Sequence, residues 1–362
     1  MIRLYIGRVF NFLNRIIPKQ NKNVISSFPD FDDMTRGLIP FLEGRTVILL
    51  RKEDQKPPVW LPDNIQYYKK NSLLGFYHIF TSKTVYFTHG LFGFFKVQEE
   101  SKQKVINLWH GMPLKNIGLL DGKKVPVSCH KVLSTSVLFQ RLMAKAFGLK
   151  IEDVLLSGLP RNDILQQATA NIELIKIKNN YDNVYVWLPT YRKSTFGDIR
   201  QDGACSSLYG FDDFDIERLN ETLQSNNEVL FVKPHPMASY DNKSSSYSNV
   251  RIIDEQWLSH NNTSLYELLS ISDGLWTDYS SVFVDYIVTN KPILFIVPDL
   301  SSYQESRGFT FDINSIELPG VLIKTEKELF SVLNEPCAWK NQYDGSMFNS
   351  IKLFDIEILH EK

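Results

Sequence analysis

The sequence predicts an α/β fold made of two parallel-sheet halves. Short apolar runs alternate with helical patterns along the chain, which is typical of parallel strands joined by crossover helices. The alternation starts again after a polar stretch at residues 166–183. At 362 residues, the chain is also too long for one ordinary core and fits about two domains.

The individual elements follow from this alternation. Candidate strands of the first half lie at residues 24–27, 46–50, 84–87, 105–108, 131–134 and 154–157, with helical patterns at 31–42, 73–80 and 137–147. Candidate strands of the second half lie at residues 184–188, 229–233, 250–253, 274–277 and 293–296. Because parallel sheets bind ligands at the carboxyl ends of their strands, two such halves predict a cleft between two sheet edges.

These patterns also predict the domain boundaries. We expect a first domain at residues 23–170 and a second domain at residues 171–335. The segment 336–362 is expected to be helical and to return to the first domain.

Residues 1–22, MIRLYIGRVFNFLNRIIPKQNK, differ in composition from the rest of the chain. They contain five basic residues and no acidic residue among many apolar side chains. Internal arginines and the missing small-residue cleavage site argue against a signal peptide, and the segment is too charged to span a bilayer. We therefore predict an amphipathic helix that lies in the membrane interface. A first helix packed on the domain is the alternative.

The overall composition excludes several functions. With 40 basic and 41 acidic residues, the chain lacks the basic field of a nucleic-acid-binding protein. The three cysteines are scattered and lack CxxC spacing, so we expect no disulfide framework, no zinc site and a reducing compartment. HExxH, GxSxG and GxxxxGKS motifs are absent, so metalloprotease, serine-hydrolase and P-loop functions lack support.

The segment WHGMPLK, residues 109–115, follows the candidate strand at 105–108. A histidine in this place is exposed where a parallel sheet holds its ligands. Gly111 lets the backbone approach a substrate closely, and the imidazole of His110 can accept a hydroxyl proton near neutral pH. A histidine that only completes a local turn is the alternative.

The segment KPHP also follows an apolar strand. Its two prolines restrict the backbone around His235. Together, Lys233 and His235 offer a cation and an imidazole to a diphosphate. A match of four residues is not specific on its own.

The segment TDYSS lies between an apolar strand and a helical pattern at residues 282–288. Helix starts bind anions through unpaired amides and the helix dipole, and the hydroxyl groups of Thr277, Ser280 and Ser281 add donors. Together with Asp278, these side chains exceed what a helix cap needs. Simple capping is the alternative.

Three arginines complete the candidate site. Arg161 lies in SGLPRND, Arg192 in LPTYRK and Arg307 in ESRGF. The guanidinium group suits phosphate oxygens, although each arginine taken singly also fits a surface ion pair. The combined pattern predicts a metal-free phosphoryl-type transferase.

Taken in order, these segments resemble the CDP-glycerol glycerophosphotransferase family. The resemblance rests on WHGMPLKNIG, SGLPRNDIL, LPTYR, KPHP, SDGLWTDYSSVFVDYIVTNKPILFIVPDL and YQESRGFTFDI, and it covers about residues 105–322. That family includes teichoic-acid primases and polymerases and their relatives in capsule or O-antigen synthesis. The first hundred residues contain no family motif.

The resemblance implies a GT-B architecture, in which two Rossmann-like domains face each other across a cleft. It implies CDP-glycerol, or less often CDP-ribitol, as donor substrate and no other cofactor or metal. The acceptor is expected to be a polyprenyl-diphosphate-linked saccharide or another glycan. The expected location is the cytoplasmic face of the cell membrane, as a peripheral protein. A homo-oligomer is left open, and no nucleic acid is expected.

By similarity, His110 and His235 correspond to the family's catalytically important histidines. Residues expected to bind substrate are Gly111, Lys115, Arg161, Arg192, Lys233, Thr277, Asp278, Ser280, Ser281 and Arg307. In the expected mechanism, an acceptor hydroxyl attacks the β-phosphorus of CDP-glycerol and CMP leaves. His110 is the expected base and His235 the expected partner of the diphosphate, although the reverse assignment stays open.

The chain also departs from the family pattern. Met112 stands where the family often has threonine in WHGTPLK, so a hydroxyl contact to the acceptor is lost. The chain lacks the long N-terminal region of the large polymerases, so we expect priming or single addition rather than processive polymerisation. A sugar transferase or nucleotide-sugar epimerase, which share the architecture, and a non-catalytic membrane scaffold are the alternatives.

Overall fold

The computed structural model describes residues 2–52, 55–92, 97, 102–122, 128–190, 211, 214–234, 247–301, 303, 309–311, 317–335, 343–351 and 353–359, with backbone only at residues 2–4. The chain forms two compact units. Unit 1 contains Met1–Met112, Ile117–Ile164 and Met347–Lys362, and unit 2 contains Pro113–Asn116 and Leu165–Ser346.

Unit 1 is built on a parallel sheet with the strand order β3-β2-β1-β4-β5-β6-β7. Its described strands are β1 (Gln20–Ser26), β2 (Arg45–Leu50), β3 (Gln66–Lys69), β4 (Ser82–Phe87), β5 (Lys104–Asn107), β6 (Lys131–Ser134) and β7 (Val154–Leu156). Its described helices are α1 (Ile2–Ile16), α2 (Asp33–Leu38), α3 (Leu73–Thr81), α4 (Val137–Phe147) and α5 (Asn162–Gln166). In this order β4 and β5 are neighbours, so the loops after these two strands leave the sheet side by side.

The sequence of unit 1 explains these elements. The central strands are rich in β-branched residues and buried on both faces, as parallel strands covered by helices require. Val24 pairs with Val47 on one side and with Val85 on the other, and all three belong to one buried cluster. Helix α4 begins after Ser136, whose hydroxyl accepts the amide of Phe139, because serine is a favoured N-cap.

Unit 2 contains a second parallel sheet with the strand order β10-β9-β8-β11-β12-β13. Its described strands are β8 (Asn183–Leu188), β9 (Glu228–Val232), β10 (Val250–Ile252), β11 (Gly274–Thr277), β12 (Ile293–Ile296) and β13 (Val321–Ile323). Its described helices are α6 (Ile172–Asn180), α7 (Ile216–Ser225), α8 (Glu255–His260), α9 (Leu265–Ile271), α10 (Val282–Tyr286) and α11 (Glu326–Asn334). The strands β8 and β11 are neighbours, so the loops after them also share one edge.

The predicted α/β class with parallel strands is confirmed, while several element bounds differ. Strands β3 and β13 were not predicted. The pattern at residues 31–42 forms α2 followed by a 3-10 turn, Ile39–Phe41, because Pro40 has no amide hydrogen for a continuing α-helix. The pattern at residues 282–288 likewise forms α10 followed by the 3-10 turn Ile287–Thr289.

The prediction of a helical segment at residues 336–362 is wrong for its described part. Of residues 343–351 and 353–359, only Glu357–Leu359 form a helical turn. The backbone instead bonds to unit 1: Ser350 N donates to Thr135 O at 3.0 Å, and Gly158 N donates to Leu353 O at 3.0 Å. These bonds satisfy backbone groups that a helix would have paired internally.

The N-terminal segment is helical only in part. Helix α1 spans Ile2–Ile16, and β1 starts at Gln20, so the predicted segment 1–22 combines two elements. Lys19 and Lys22 do not extend a basic helix face. The ammonium of Lys19 donates to Asn14 O at 2.7 Å, and that of Lys22 is buried and bonds to Thr81 Oγ1.

Helix α1 packs Phe10 into the buried cluster of unit 1 but exposes several of its other apolar side chains. Its buried positions include Gly7, Phe10 and Asn14, whereas Tyr5, Val9 and Phe12 are exposed. Asn14 is held by Gln103, whose Oε1 accepts the Asn14 side-chain amide at 3.1 Å. No helix in the described part of the chain is long and apolar enough to cross a membrane.

Candidate active site

The candidate site of unit 1 forms where β4 and β5 end. After β5, the chain turns sharply: Trp109 has φ of 60° and Gly111 has φ of 136°. A positive φ in a bulky residue such as Trp109 is strained and is found mainly where function requires it. The amide of Trp109 donates to Asn107 Oδ1 at 2.9 Å, and this bond holds the turn.

The turn places His110 at the exposed carboxyl edge of the sheet, as predicted. Its Nδ1 lies 3.2 Å from the backbone oxygen of Thr88. Because a carbonyl oxygen only accepts hydrogen bonds, Nδ1 carries the ring proton and Nε2 carries the free lone pair. The His110 side chain is exposed at this edge, and desolvation by the surrounding groups lowers its pKa to about 4; the bond to Thr88 opposes this change and Arg161 adds to it. The His110 imidazole is therefore uncharged at physiological pH.

Arg161 lies beside the WHG turn. It follows β7, and one of its guanidinium nitrogens donates to His110 O at 3.2 Å. Its position depends on a close approach of α2, because Gly37 faces the backbone of Pro160 and Arg161. Arg161 therefore supports the WHG turn.

His89 is a site residue that the sequence analysis missed. Its ring stacks on His110 with 3.8 Å between the ring centroids and 13° between the planes. The missed signal is a repeated dipeptide: His89-Gly90 follows β4 just as His110-Gly111 follows β5. Because these strands are neighbours, the two histidines meet.

Arg51 is a second missed residue of this edge. It follows β2, and its guanidinium carbon lies 4.4 Å from the centroid of the Phe28 ring. The Phe28 ring in turn lies edge-on to His89, with 5.4 Å between the centroids. Desolvation and His110 lower the pKa of His89, and the charges of Arg51 and Arg161 lower it further, so both arginines act electrostatically on this edge.

The candidate donor loop of unit 2 follows β11. The Asp278 carboxylate accepts the amide of Thr190 at 2.9 Å and its hydroxyl at 3.0 Å. Thr277 is fully buried, and its hydroxyl donates to Leu188 O at 3.3 Å. These two side chains join the ends of β8 and β11. Ser280 and Ser281 are partly exposed and remain accessible to a ligand.

Two lysines of unit 2 occupy different environments. Lys233, at the end of β9, is nearly buried and forms an ion pair with Glu255 at 2.7 Å. Lys115 lies with its ammonium 5.2 Å from the centroid of the Tyr303 ring. The backbone around Lys115 pairs with Phe309, and Thr310 N donates to Leu114 O at 2.8 Å. The WHGMPLK segment thus passes from unit 1 to unit 2 after Met112.

Three predicted site residues, Arg192, His235 and Arg307, lie outside the described residues. Of the others, the structure brings His110, Gly111 and Arg161 together in unit 1. It places Thr277, Asp278, Ser280 and Ser281 on one loop in unit 2, with Lys115 and Lys233 elsewhere in the same unit.

The structure is an α/β fold with two parallel sheets, and the carboxyl edges of both sheets carry polar or charged side chains. Over residues 12–352, the chain matches the family CDP-Glycerol:Poly(glycerophosphate) glycerophosphotransferase. The chain belongs to this family. The resemblance predicted from the motifs is confirmed, and so is the prediction of a glycerophosphotransferase-type enzyme.

Individual relatives agree with this assignment. The teichoic acid poly(glycerol phosphate) polymerase of Bacillus spizizenii is 25% identical over 96% of this chain and 92% of its own length. The teichoic acid poly(ribitol-phosphate) polymerase of the same organism is 28% identical over 89% of this chain, which spans 52% of that relative's length. A solved structure of the wall teichoic acid polymerase TagF, in a substituted form soaked with CDPG, has a TM-score of 0.70 at 20% identity and covers 99% of this chain and 93% of its own. It shares the fold.

Proposed function

We propose that the protein transfers glycerol phosphate from CDP-glycerol to a hydroxyl group of a glycan acceptor, with release of CMP, in the synthesis of a cell-surface polymer. The observation that carries this proposal is the neutral imidazole of His110 at the carboxyl edge of the unit 1 sheet. Family membership supplies the donor class.

The proposed reaction follows from the place of the ring proton on His110, which is on Nδ1 and leaves Nε2 free to accept a proton. The acceptor hydroxyl gives its proton to Nε2 of His110 while its oxygen attacks the β-phosphorus of CDP-glycerol. The new bond joins acceptor oxygen and phosphorus, and the bond from the β-phosphorus to the bridging oxygen breaks. CMP leaves with that electron pair. The bond from Nδ1 to Thr88 O strengthens as the ring gains charge, so Thr88 stabilises the imidazolium.

The donor diphosphate is expected to bind at the TDYSS loop of unit 2. Ser280 and Ser281 supply hydroxyl groups, and Lys115 together with Arg192, His235 and Arg307 supplies positive charge and hydrogen-bond donors. Asp278 is expected to act indirectly, because its carboxylate is used by Thr190. The charge of Lys233 is balanced by Glu255, so its contribution to donor binding is expected to be smaller.

Substitution of His110 by Ala tests the proposed base. His110→Ala should abolish transfer while leaving CDP-glycerol affinity unchanged, because the imidazole acts on the acceptor proton. His260→Ala is a matched control, since His260 is an exposed histidine at the end of α8 in unit 2. Wild-type turnover in His110→Ala would refute the assignment, and loss of turnover in both variants would show a general defect.

CDP-ribitol is the second candidate donor, because a poly(ribitol-phosphate) polymerase is among the similar proteins. Both donors share the cytidine diphosphate that the proposed mechanism uses. Measuring CMP release with each donor in separate reactions distinguishes them. A higher kcat/KM for CDP-ribitol would replace glycerol in the proposal while leaving the mechanism in place.

We also propose that the acceptor is lipid-linked and that the protein binds the cytoplasmic face of the membrane through α1. On this helix, Tyr5 is 71% exposed and Phe12 is 61% exposed, and Ile6, Val9 and Ile16 complete one outward apolar face. Exposed Arg8 and Arg15 lie beside this face and complement anionic lipid. Because Asn14 faces the protein and is bonded there, the apolar face is directed outward by the fold.

Vesicle sedimentation tests the membrane proposal. The double variant Val9→Ser with Phe12→Ser should bind vesicles containing anionic lipid much more weakly than wild type, because both side chains belong to the outward face. Val59→Ser is a matched control, since Val59 is 81% exposed and lies outside the helices. Unchanged sedimentation of the double variant would remove the membrane proposal.

A further inference from the structure

The stacked rings of His89 and His110, called the histidine stack below, share a hydrogen-bond pattern centred on Thr88. The backbone oxygen of Thr88 lies 3.2 Å from Nδ1 of His110, and its hydroxyl oxygen lies 3.0 Å from Nδ1 of His89. The same hydroxyl oxygen accepts the amide of Phe28 at 3.1 Å. One threonine therefore orients both rings.

These contacts fix the proton of the His110 ring. His110 donates from Nδ1 to a carbonyl oxygen, so its Nε2 is a hydrogen-bond acceptor. The Thr88 hydroxyl accepts the amide of Phe28 and is hydrogen-bonded to Nδ1 of His89, which orients the His89 ring in either tautomer. Among the described residues, Nε2 of neither ring has a hydrogen-bond partner.

The two rings are also coupled electrostatically. Their planes are nearly parallel, and the close stack cannot hold two positive charges without strong repulsion. Burial lowers the pKa of His89 to about 3, with His110, Arg51 and Arg161 contributing in that order. The stack therefore takes up at most one proton beyond the two that the neutral rings already carry, and Nε2 of His110 is available to accept it.

The structure assigns to His89 the role of a positioning residue that holds His110 in the orientation and protonation state of a general base. This inference rests on the proposed function for its catalytic consequence. His89 covers one face of the His110 ring, and the tilted Trp109 ring lies 4.1 Å from the His110 ring between centroids.

Two arginines near the histidine stack also affect the pKa of His89. Arg51 and Arg161 both oppose its protonation. More distant groups belong to the same neighbourhood through their interactions with these arginines: Asp32 interacts with Arg161, and Lys70 interacts with Arg51 and Asp30. Both arginines are present in every His89 variant, so their charges are common to all the proteins that are compared.

Titration of His110 by nuclear magnetic resonance tests the inference without any substrate. The His110 ring signals are assigned by their loss in His110→Gln and followed with pH in wild type, His89→Ala and His89→Phe. In His89→Ala, the pKa of His110 should rise from about 4 toward the ordinary value of 6.5, because the covering ring is lost. His89→Phe keeps an uncharged covering ring, so its His110 pKa should rise less.

The pH dependence of kcat/KM gives the catalytic readout. The acid limb reports the base of the free enzyme, so it should move to higher pH in His89→Ala and less in His89→Phe. At neutral pH, kcat should fall about 10-fold or more in His89→Ala, because the base loses its orientation. A loss of stability without a shift in His110 titration would show a merely structural role and overturn the inference.

The two readouts separate this inference from the proposed function. If the protein lacks transfer activity but the His110 pKa shifts as stated, His89 controls His110 and the proposed function fails. If transfer depends on His110 but the His110 titration is identical in all three proteins, the function stands and the role of His89 is refuted. Should His89→Ala not fold, His89→Phe alone carries the comparison, since a shift of its His110 pKa from wild type is still required.

Discussion

Replacing Gly37 by Ala should damage the active site without changing any residue assigned to it. Gly37 lies in α2, where an added Cβ would sit 2.1 Å from Pro160 O and 2.9 Å from Arg161 N. Real Cβ atoms essentially never come within 3.0 Å of such neighbours, so the two backbones must separate by about 0.9 Å. This movement acts directly on the residue that bonds to His110 O.

The magnitude follows from two opposing effects. Overpacking of a tight contact costs about 1–3 kcal/mol, and alanine is up to about 1 kcal/mol better than glycine within a helix. We therefore expect a net loss of about 1–2 kcal/mol in the free energy of unfolding. A displacement of this size at a catalytic turn can lower kcat/KM by about 10²-fold. The Arg161 bond to His110 O, 3.2 Å long, has little room to lengthen.

Urea unfolding and steady-state kinetics measure the two effects separately. Gly122→Ala is the control, because a Cβ there meets nothing within 4 Å although φ is +68°. That control should lose about 1 kcal/mol through backbone strain and keep its kcat/KM. A Gly37→Ala enzyme with wild-type kcat/KM would refute the proposed link between α2, Arg161 and His110.

Other parts of the structure give further predictions. His78 is buried, and its pKa is lowered from 6.5 to about 4 by burial, Lys22 and Arg45. As pH drops, the unfolded state therefore takes up a proton at higher pH than the folded state does. The free energy of unfolding should fall as pH drops from 6.5 toward 4, and an equally steep fall in His78→Phe would contradict this. Asp278→Asn should lower stability by about 1–3 kcal/mol and weaken CDP-glycerol binding in calorimetry, since the bonds to Thr190 weaken; unchanged affinity would show that the loop does not depend on Asp278. Gly158→Ala should make the C-terminal segment sensitive to proteolysis, because a Cβ there lies 2.4 Å from the Leu353 backbone, and wild-type resistance would contradict that contact.

Much of the fold could be predicted from the sequence because parallel strands leave long apolar runs. Strand β2 is buried from Thr46 to Leu50 and reads as one such run. Strand β3, by contrast, has the sequence QYYK with exposed residues at both ends, and β13 has three residues. These strands lie at the edges of their sheets, where only one side pairs with another strand. Their side chains are therefore less buried, and the apolar pattern is too weak to be recognised.

The candidate site was predictable in its residue types but not in all its contacts. His110 was found because glycine and proline follow it after a strand. His89 was missed because its pairing depends on β4 and β5 being neighbours, which no local pattern shows. Similarly, Asp278 and Thr277 form hydrogen bonds to residues at and just after the end of β8, and Lys22 is buried because Thr81 and His78 supply hydrogen-bond partners. The sequence does not show in which direction these side chains point, so it could not predict these contacts.

The proposed transfer is tested most directly by a donor panel with product analysis. Purified protein is incubated with a lipid-linked glycan acceptor and, separately, CDP-glycerol, CDP-ribitol or a UDP-sugar, and both CMP and acceptor mass are measured. The proposal predicts that CDP-glycerol is consumed, that CMP is released in equal amount to the glycerol phosphate gained by the acceptor, and that His110→Ala does neither. Consumption of the UDP-sugar alone, with CDP-glycerol unchanged, would contradict it.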